Sequence, residues 1–246
     1  MAPSPAKNRH WARWGIGALV AIVVLVVAIP FVYFKFIQGD APAKLTLPEV
    51  TTSTAGSGTS SEPSPLAGTW KVGSDSTAGY RVKETLFGQS NTAVGRTDQV
   101  TGSMTIAGTK VTKATVTVEM TSVQSVGNSL DSAFADRRDD QFRGRIMNTD
   151  QFPTATFALT KPIDLAPVPK DGVAKKYSAT GKLTLHGTTK AVTIPLTARR
   201  TDGVIAVQGI TTVNFDDYGI GDAAGGPASS VDRSGEIEFV VQFRPR

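Results

Sequence analysis

The residue types that usually carry catalysis or bind metals are scarce in this 246-residue chain. It contains no cysteine, which excludes disulfide bonds, thiolate metal sites and a cysteine nucleophile. Its two histidines are His10 and His186, so a Ser-His-Asp triad would have to use His186, and a multi-histidine metal site is not available. His186 stands in a turn with no suitable serine and aspartate nearby. We therefore predict no catalytic residue, no metal site and no cofactor.

A cluster of basic side chains near the middle of the chain could instead bind an anion. Its members are Arg137, Arg138, Arg143 and Arg145. A guanidinium group binds phosphate through two parallel hydrogen bonds, so these arginines are candidates for contacting a polar head group. Asp136, Asp139 and Asp140 stand among them. Because exposed ion pairs contribute little, a solvated surface of mixed charge is the alternative interpretation.

The other notable concentration of positive charge is at the N-terminus. The sequence has 26 Lys and Arg against 21 Asp and Glu. Four of the basic residues precede residue 36, where there is no acidic residue, so the remainder of the chain is nearly neutral. A nucleic-acid-binding domain would need a clustered basic face, and we predict no nucleic-acid partner.

The N-terminal region predicts a membrane anchor. Residues 15–34 form an uncharged, apolar run of 20 residues, which is long enough to cross a bilayer as a helix. We predict a transmembrane helix over 15–35, with the basic residues of 1–14 in the cytoplasm and the rest of the chain outside. A cleaved signal peptide is the alternative, although the run is longer than the apolar part of such peptides. Residues 36–65 have the composition of a flexible linker, and they precede a single domain over 66–246.

β-Strands must position the side chains of that domain, and the clearest are in a hairpin over 181–196. Leu183 and Leu185 alternate with polar residues before a turn at 186–189, and apolar residues alternate again after it. About eight or more such runs follow residue 66, which predicts an all-β antiparallel barrel or sandwich. The segment 128–142 instead favours a helix, expected across a barrel mouth or, alternatively, packed on the sheet as a surface crossover.

Short motifs follow one another in a distinctive order through this domain. They occupy residues 68–72, 100–103, 137–139, 148–157, 181–190 and 235–239. The blocks Phe-Pro-x-x-x-Phe and Gly-x-Leu-Thr-Leu-x-Gly-x-Thr-Lys are the most specific of them. Taken together, the motifs resemble the YceI-like family of bacterial secreted proteins over roughly residues 66–244.

The resemblance implies a lipocalin-like antiparallel β-barrel. The sequence itself adds the short helical insert and the preceding membrane helix, and this anchor is unlike the simply secreted members of the family. By the same resemblance, the apolar interior of the barrel would bind a long polyisoprenoid, such as an isoprenoid quinone or a polyprenyl phosphate, with the head group at the mouth near the four arginines. The side chains expected to line the lumen are Tyr80, Val82, Met104, Val118, Met120, Phe157, Leu183, Leu185, Ile205, Phe239 and Val241. A closed, filled core is the alternative, because alternation does not distinguish a full lumen from an empty one.

These observations predict a single-pass membrane protein whose extracytoplasmic barrel binds, stores or transports an amphiphilic isoprenoid lipid. An enzyme acting on a lipid or quinone is one alternative, and it would need a converging pair of polar groups inside the lumen. A structural module that interacts with other components of the cell envelope is another. It would have a filled core and an exposed apolar patch.

Overall fold

The computed structural model of this protein describes most of the predicted domain and little of what precedes it. The described residues are 22, 24, 41–49, 66–86, 88–127, 132–225 and 228–246. The predicted segments 1–14 and 15–35 lie outside the described residues, apart from two positions, and so does most of the predicted linker 36–65. Within the described part of the chain, no helix is both long enough and apolar enough to cross a lipid bilayer.

The described residues form thirteen β-strands, and all of their pairings are antiparallel. In chain order they are Gly68–Val72 (β1), Thr77–Leu86 (β2), Gln89–Thr97 (β3), Val100–Ala107 (β4), Lys110–Glu119 (β5), Gln124–Ser125 (β6), Thr154–Leu159 (β7), Ile163–Asp164 (β8), Lys175–Leu185 (β9), Thr188–Thr201 (β10), Val204–Asn214 (β11), Ala228–Val231 (β12) and Ser234–Pro245 (β13). The predicted all-β, antiparallel class is confirmed.

The sheet closes into a barrel through β13. Eight strands form the ring in the order β1-β4-β5-β7-β9-β10-β11-β13, and β13 then pairs with β1. The first half of β13 pairs instead with β2, which carries β3 and β6 as an extension of the same sheet. Closure removes the exposed strand edges of the ring, and it divides every strand into an inward and an outward set of side chains.

The predicted hairpin is present as β9 and β10, joined by a two-residue turn. His186 and Gly187 both have positive φ, of 48° and 73°, as the tight turns that match the twist of paired strands require. The His186 ring packs edge-on against Phe152, with 4.7 Å between centroids, and its Nδ1 lies 3.2 Å from the carbonyl oxygen of Tyr218. His186 is therefore a packed turn residue.

The predicted helical insert is also present. An α-helix over Ser132–Gln141 (α1) runs into a π-helical turn over Phe142–Ile146, in which the Met147 N–H donates to the Phe142 carbonyl at 2.8 Å. Buried Asp139 accepts hydrogen bonds from the N–H and hydroxyl of Ser125, at 2.8 and 2.7 Å, which ties α1 to β6.

The outer face of the barrel contains a buried charge cluster. The side chain of Glu238 on β13 is 0% exposed, and its Oε1 accepts from Nε and Nη2 of Arg96 on β3 at 2.9 and 2.8 Å. Nη1 of Arg81 on β2 lies 3.7 Å from the same oxygen. A carboxylate so removed from water requires such partners, because an unpaired buried charge is strongly unfavourable.

Residues 41–49, which we call the strap, cover this cluster. Arg81 and Arg96 of the cluster donate to the carbonyl oxygens of Pro42 and Ala43 in the strap, at 2.7 and 2.5 Å, respectively. The N–H of Leu45 donates to the Glu238 carboxylate at 3.2 Å. Towards the other end of the strap, the Pro48 carbonyl accepts from Arg199 on β10. This part of the predicted linker therefore lies along the outside of the barrel.

Replacing Glu238 by Ala should lower the free energy of unfolding of the full chain by about 3 kcal/mol, because it leaves the guanidinium groups of Arg81 and Arg96 without their buried partner. Urea unfolding measures the change. Glu236→Ala is the matched control on the same strand. Its carboxylate pairs with Lys44 at 2.7 Å but is 34% exposed, and its loss should cost less than about 1 kcal/mol. Equal effects of the two substitutions would contradict the importance of the buried cluster.

Candidate functional site

Two adjoining cavities occupy the interior of the barrel. One, of 320 Å³, lies beneath α1 and is called the mouth cavity. The other, of 180 Å³, lies towards the opposite end and is called the deep cavity. Ala78, Val118, Ala155 and Ile237 line both, so the two volumes meet at these four residues. The interior therefore retains unfilled volume at two adjoining places, in contrast to the closed, filled core that alternation alone allowed.

All eleven side chains that the sequence predicts to face the lumen line one of these cavities. Tyr80, Val82, Met120 and Leu185 line the mouth cavity. Met104, Phe157, Leu183, Ile205, Phe239 and Val241 line the deep cavity. Val118 lines both. The structure thus places the predicted set around two adjoining cavities, and the binding of a ligand by these residues stays a prediction.

The deep cavity is almost entirely apolar. Apart from Thr156, Tyr177 and Thr211, its lining among the described residues consists of aliphatic, methionine and phenylalanine side chains. Burial raises the pKa of the Tyr177 hydroxyl above its ordinary value. An apolar chain that enters such a space is removed from water, which is favourable. An ionised group that entered it would lose its hydration and find almost no polar partners in exchange.

A loop between β8 and β9 contributes to the wall of the deep cavity. Leu165 belongs to this loop and lines the cavity. The ammonium group of Lys175 donates to the carbonyl oxygens of Leu165, Ala166 and Pro167 at 3.3, 3.1 and 2.9 Å. These bonds hold the loop in place where Leu165 lines the cavity.

The mouth cavity is roofed by an aromatic stack. The ring of Tyr80 on β2 lies parallel to that of Phe142 in the π-helical turn, with 5.1 Å between centroids and 10° between planes. Gly95, the partner of Tyr80 on β3, makes room for this arrangement, because a Cβ there would come within 2.4 Å of the tyrosine ring. The stack attaches the helical insert to the barrel wall.

The rim of the mouth cavity, in contrast, carries a buried ion pair. Glu84 on β2 and Arg138 on α1 both line the cavity, and Arg138 Nη2 donates to Glu84 Oε1 at 2.5 Å. Their side chains are only 7% and 14% exposed, respectively. The amide of Asn91 donates to the same carboxylate oxygen at 2.7 Å. We refer to Glu84, Asn91 and Arg138 as the polar lip.

The charged groups of this rim affect the pKa of the Tyr80 hydroxyl. Burial raises the pKa of its hydroxyl well above the ordinary value; the guanidinium of Arg138 acts in the opposite direction, while the carboxylates of Asp139 and Glu84 raise the pKa further. Two carboxylates and one guanidinium therefore influence the same point of the mouth cavity. Burial and the two carboxylates therefore make a further negative charge at this point of the cavity unfavourable.

The structure separates the four predicted head-group arginines. Arg137 and Arg138 line the mouth cavity, and Arg137 is exposed. Arg143 pairs with Asp140 at 2.8 Å, and Arg145 donates to the backbone carbonyls of residues 222 and 223, both at 2.9 Å. The latter two do not line either cavity among the described residues. Nor do the described residues include a group of three histidine or acidic side chains placed to hold a metal ion.

Sequence reasoning missed several residues of the mouth cavity. Phe142, Ile146 and Met147 line it from the helical insert, and Gln141 reaches its rim. Glu84 could have been found, since it extends the inward alternation of Tyr80 and Val82 by two residues. The insert residues carried no such signal, because a period of two residues belongs to strands and not to helices.

Comparison with known proteins supplies a family and three structural relatives. A family model for the YceI-like domain matches residues 70–243. No curated protein matches the chain. A polyisoprenoid binding domain from Saccharophagus degradans, implicated in plant cell wall breakdown, is 17% identical with a TM-score of 0.56, over 73% of this chain and 99% of that one.

Two further solved structures are more distant in shape. BcnA from Burkholderia cenocepacia is 21% identical over 68% of this chain and 95% of its own, with a TM-score of 0.49. The YCEI protein of Campylobacter jejuni is 16% identical over 60% of this chain and 82% of its own, with a TM-score of 0.45. At these identities it is the Saccharophagus degradans domain that supports the barrel fold.

Replacing Phe142 by Ala should loosen the helical insert without unfolding the barrel, because it removes a buried ring from the stack on Tyr80. Amide hydrogen exchange across residues 132–147 should accelerate by about tenfold or more, while the β9–β10 hairpin keeps its protection. Asp136→Ala, an exposed change on the same helix, is the control and should leave both regions unchanged. Uniform acceleration across the whole barrel would contradict a locally attached roof.

Proposed function

Because this chain belongs to the YceI-like family, we propose that its barrel binds the tail of an amphiphilic isoprenoid lipid, a polyprenyl compound or an isoprenoid quinone. The tail lies in the deep cavity and the head group at the mouth cavity. The protein holds the lipid without altering it, and so stores it or carries it outside the cytoplasm.

The observation that carries this proposal is the pair of adjoining cavities with an apolar interior and a polar rim. An apolar tail gains roughly 25 cal/mol for each Å² that it removes from water. Methionines such as Met104 and Met120 suit an irregular, flexible ligand, because their side chains adapt to its shape. The related Saccharophagus degradans domain, described as polyisoprenoid binding, agrees with this choice of ligand.

The competing functions fit the interior less well. A structural envelope module would gain nothing from unfilled volume, since cavities lined by apolar side chains weaken a protein core. An enzyme would need polar groups that converge on a substrate. The polar groups at the rim bond to one another instead, with Arg138 and Asn91 both donating to Glu84. Binding is therefore the function that the described lumen favours.

The proposed location is the outer side of the cytoplasmic membrane, with residues 15–35 as the anchor. The uncharged run of 20 residues over 15–34 supports the anchor, since it is long enough to cross a bilayer as a helix. The basic residues that precede the run support a cytoplasmic N-terminus and a barrel on the outer side.

Native mass spectrometry of the full chain, purified from membranes in a mild detergent, tests the binding function. We expect a bound mass that organic extraction identifies as an isoprenoid. Ala155→Trp should reduce the bound fraction at least about fivefold, because the indole fills the junction of the two cavities with bulk that the tail would need.

The matched control is Ala191→Trp. Ala191 is exposed on β10, where the same enlargement leaves the lumen unchanged. It should bind as much lipid as the unaltered protein. Bound lipid that survives Ala155→Trp, or a purified protein that never retains an isoprenoid, would refute binding in the lumen.

A further inference from the structure

The charges at the mouth cavity constrain the head group of the ligand. Glu84 places a carboxylate at the cavity wall with its side chain 7% exposed, and Arg138 and Asn91 hold it there from two sides. Buried Asp139 lies next to Arg138 and accepts from Ser125 on β6. The guanidinium of Arg138 is thus already paired with a buried carboxylate, and the residue next to it in the chain carries a second one.

The other three predicted head-group arginines do not form a phosphate-binding site at the mouth cavity. Arg143 and Arg145 do not line the cavity among the described residues, and their guanidinium groups are already bonded, to Asp140 and to the backbone carbonyls of residues 222 and 223. Arg137 lines the cavity but is exposed, where water and salt screen its charge. A lipid phosphate normally requires bidentate guanidinium contacts. Here it would meet an arginine already paired with a buried carboxylate.

We infer that Glu84 is a specificity-determining residue that admits isoprenoids with an uncharged head group and rejects those with a phosphate. This inference rests on the proposed function and narrows it. A phosphate at the lip would stand within a few ångströms of the Glu84 carboxylate in a poorly hydrated space, where like charges repel strongly. A quinone or alcohol oxygen has no such repulsion and can bond to the amide of Gln141 at the rim.

The test compares two lipids that differ only in the head group, a polyprenyl alcohol and the polyprenyl monophosphate of the same chain length. The full chain in detergent is titrated with each and the bound fraction is measured by native mass spectrometry. The unaltered protein should bind the alcohol about tenfold more tightly than the phosphate, as expected for one additional like-charge contact near a protein surface. An isoprenoid quinone of equal tail length should behave like the alcohol.

Glu84→Gln then tests the residue itself. The amide keeps an oxygen that can accept from Arg138 and Asn91 but removes the charge, so affinity for the phosphate should rise about tenfold while affinity for the alcohol changes less than about twofold. Glu119→Gln, which removes a carboxylate on the outward side of β5, should alter neither affinity. The alcohol and phosphate comparison on the unaltered protein needs no variant, so a poorly folded Glu84→Gln protein would still leave the inference testable.

The outcomes separate the inference from the proposed function. Phosphate binding as tight as alcohol binding, or an alcohol-to-phosphate ratio unchanged by Glu84→Gln in folded protein, overturns the role of Glu84 while isoprenoid binding stands. Failure of all three lipids to bind overturns the proposed function and this inference with it. Strong discrimination that Glu84→Gln abolishes supports both.

Discussion

The closed antiparallel ring is the constraint on which the rest of this structure depends. Once β13 pairs with β1, each strand of the ring must send alternate side chains inward, whether or not they fill the space. At several inward positions those side chains are small. Ala114, Ala155, Ala179 and Ala198 all line the cavities, so closure leaves unfilled volume within the core. The open lumen is thus a consequence of ring geometry combined with small residues.

Buried charge attaches the accessory elements to this ring. Inside, Glu84 and Arg138 join α1 to β2, while Asp139 joins it to β6. Outside, Glu238 gathers two arginines and the strap. Removing ions from water is costly, so such pairs are better explained by where they hold a segment than by stability alone. In this protein they hold a roof over the mouth of the lumen and a segment along its outer wall.

The sequence was sufficient for the strands with a clear alternation and for the direction of their side chains, because a period of two residues is a local property. It did not indicate β3, β6, β8 or β12. All eleven predicted lumen side chains lie at the cavities for that reason. Contacts between residues far apart in the chain could not be predicted from the sequence. Arg96 and Glu238 are 142 positions apart, and nothing near either residue indicates the other. The same holds for the predicted head-group arginines, since only the folded chain reveals that Arg145 is directed at backbone carbonyls. Whether the lumen was open depended on the packing of all eight strands at once.

The central claim is that an isoprenoid chain occupies the two adjoining cavities. Its most direct test is a crystal structure of the protein purified without removal of lipids. The account predicts elongated density running from the polar lip past Val118 and Ala155 into the deep cavity, with the head group beside Glu84 and Arg138. A lumen in which the protein's own side chains have closed the passage, with no lipid density, would contradict it.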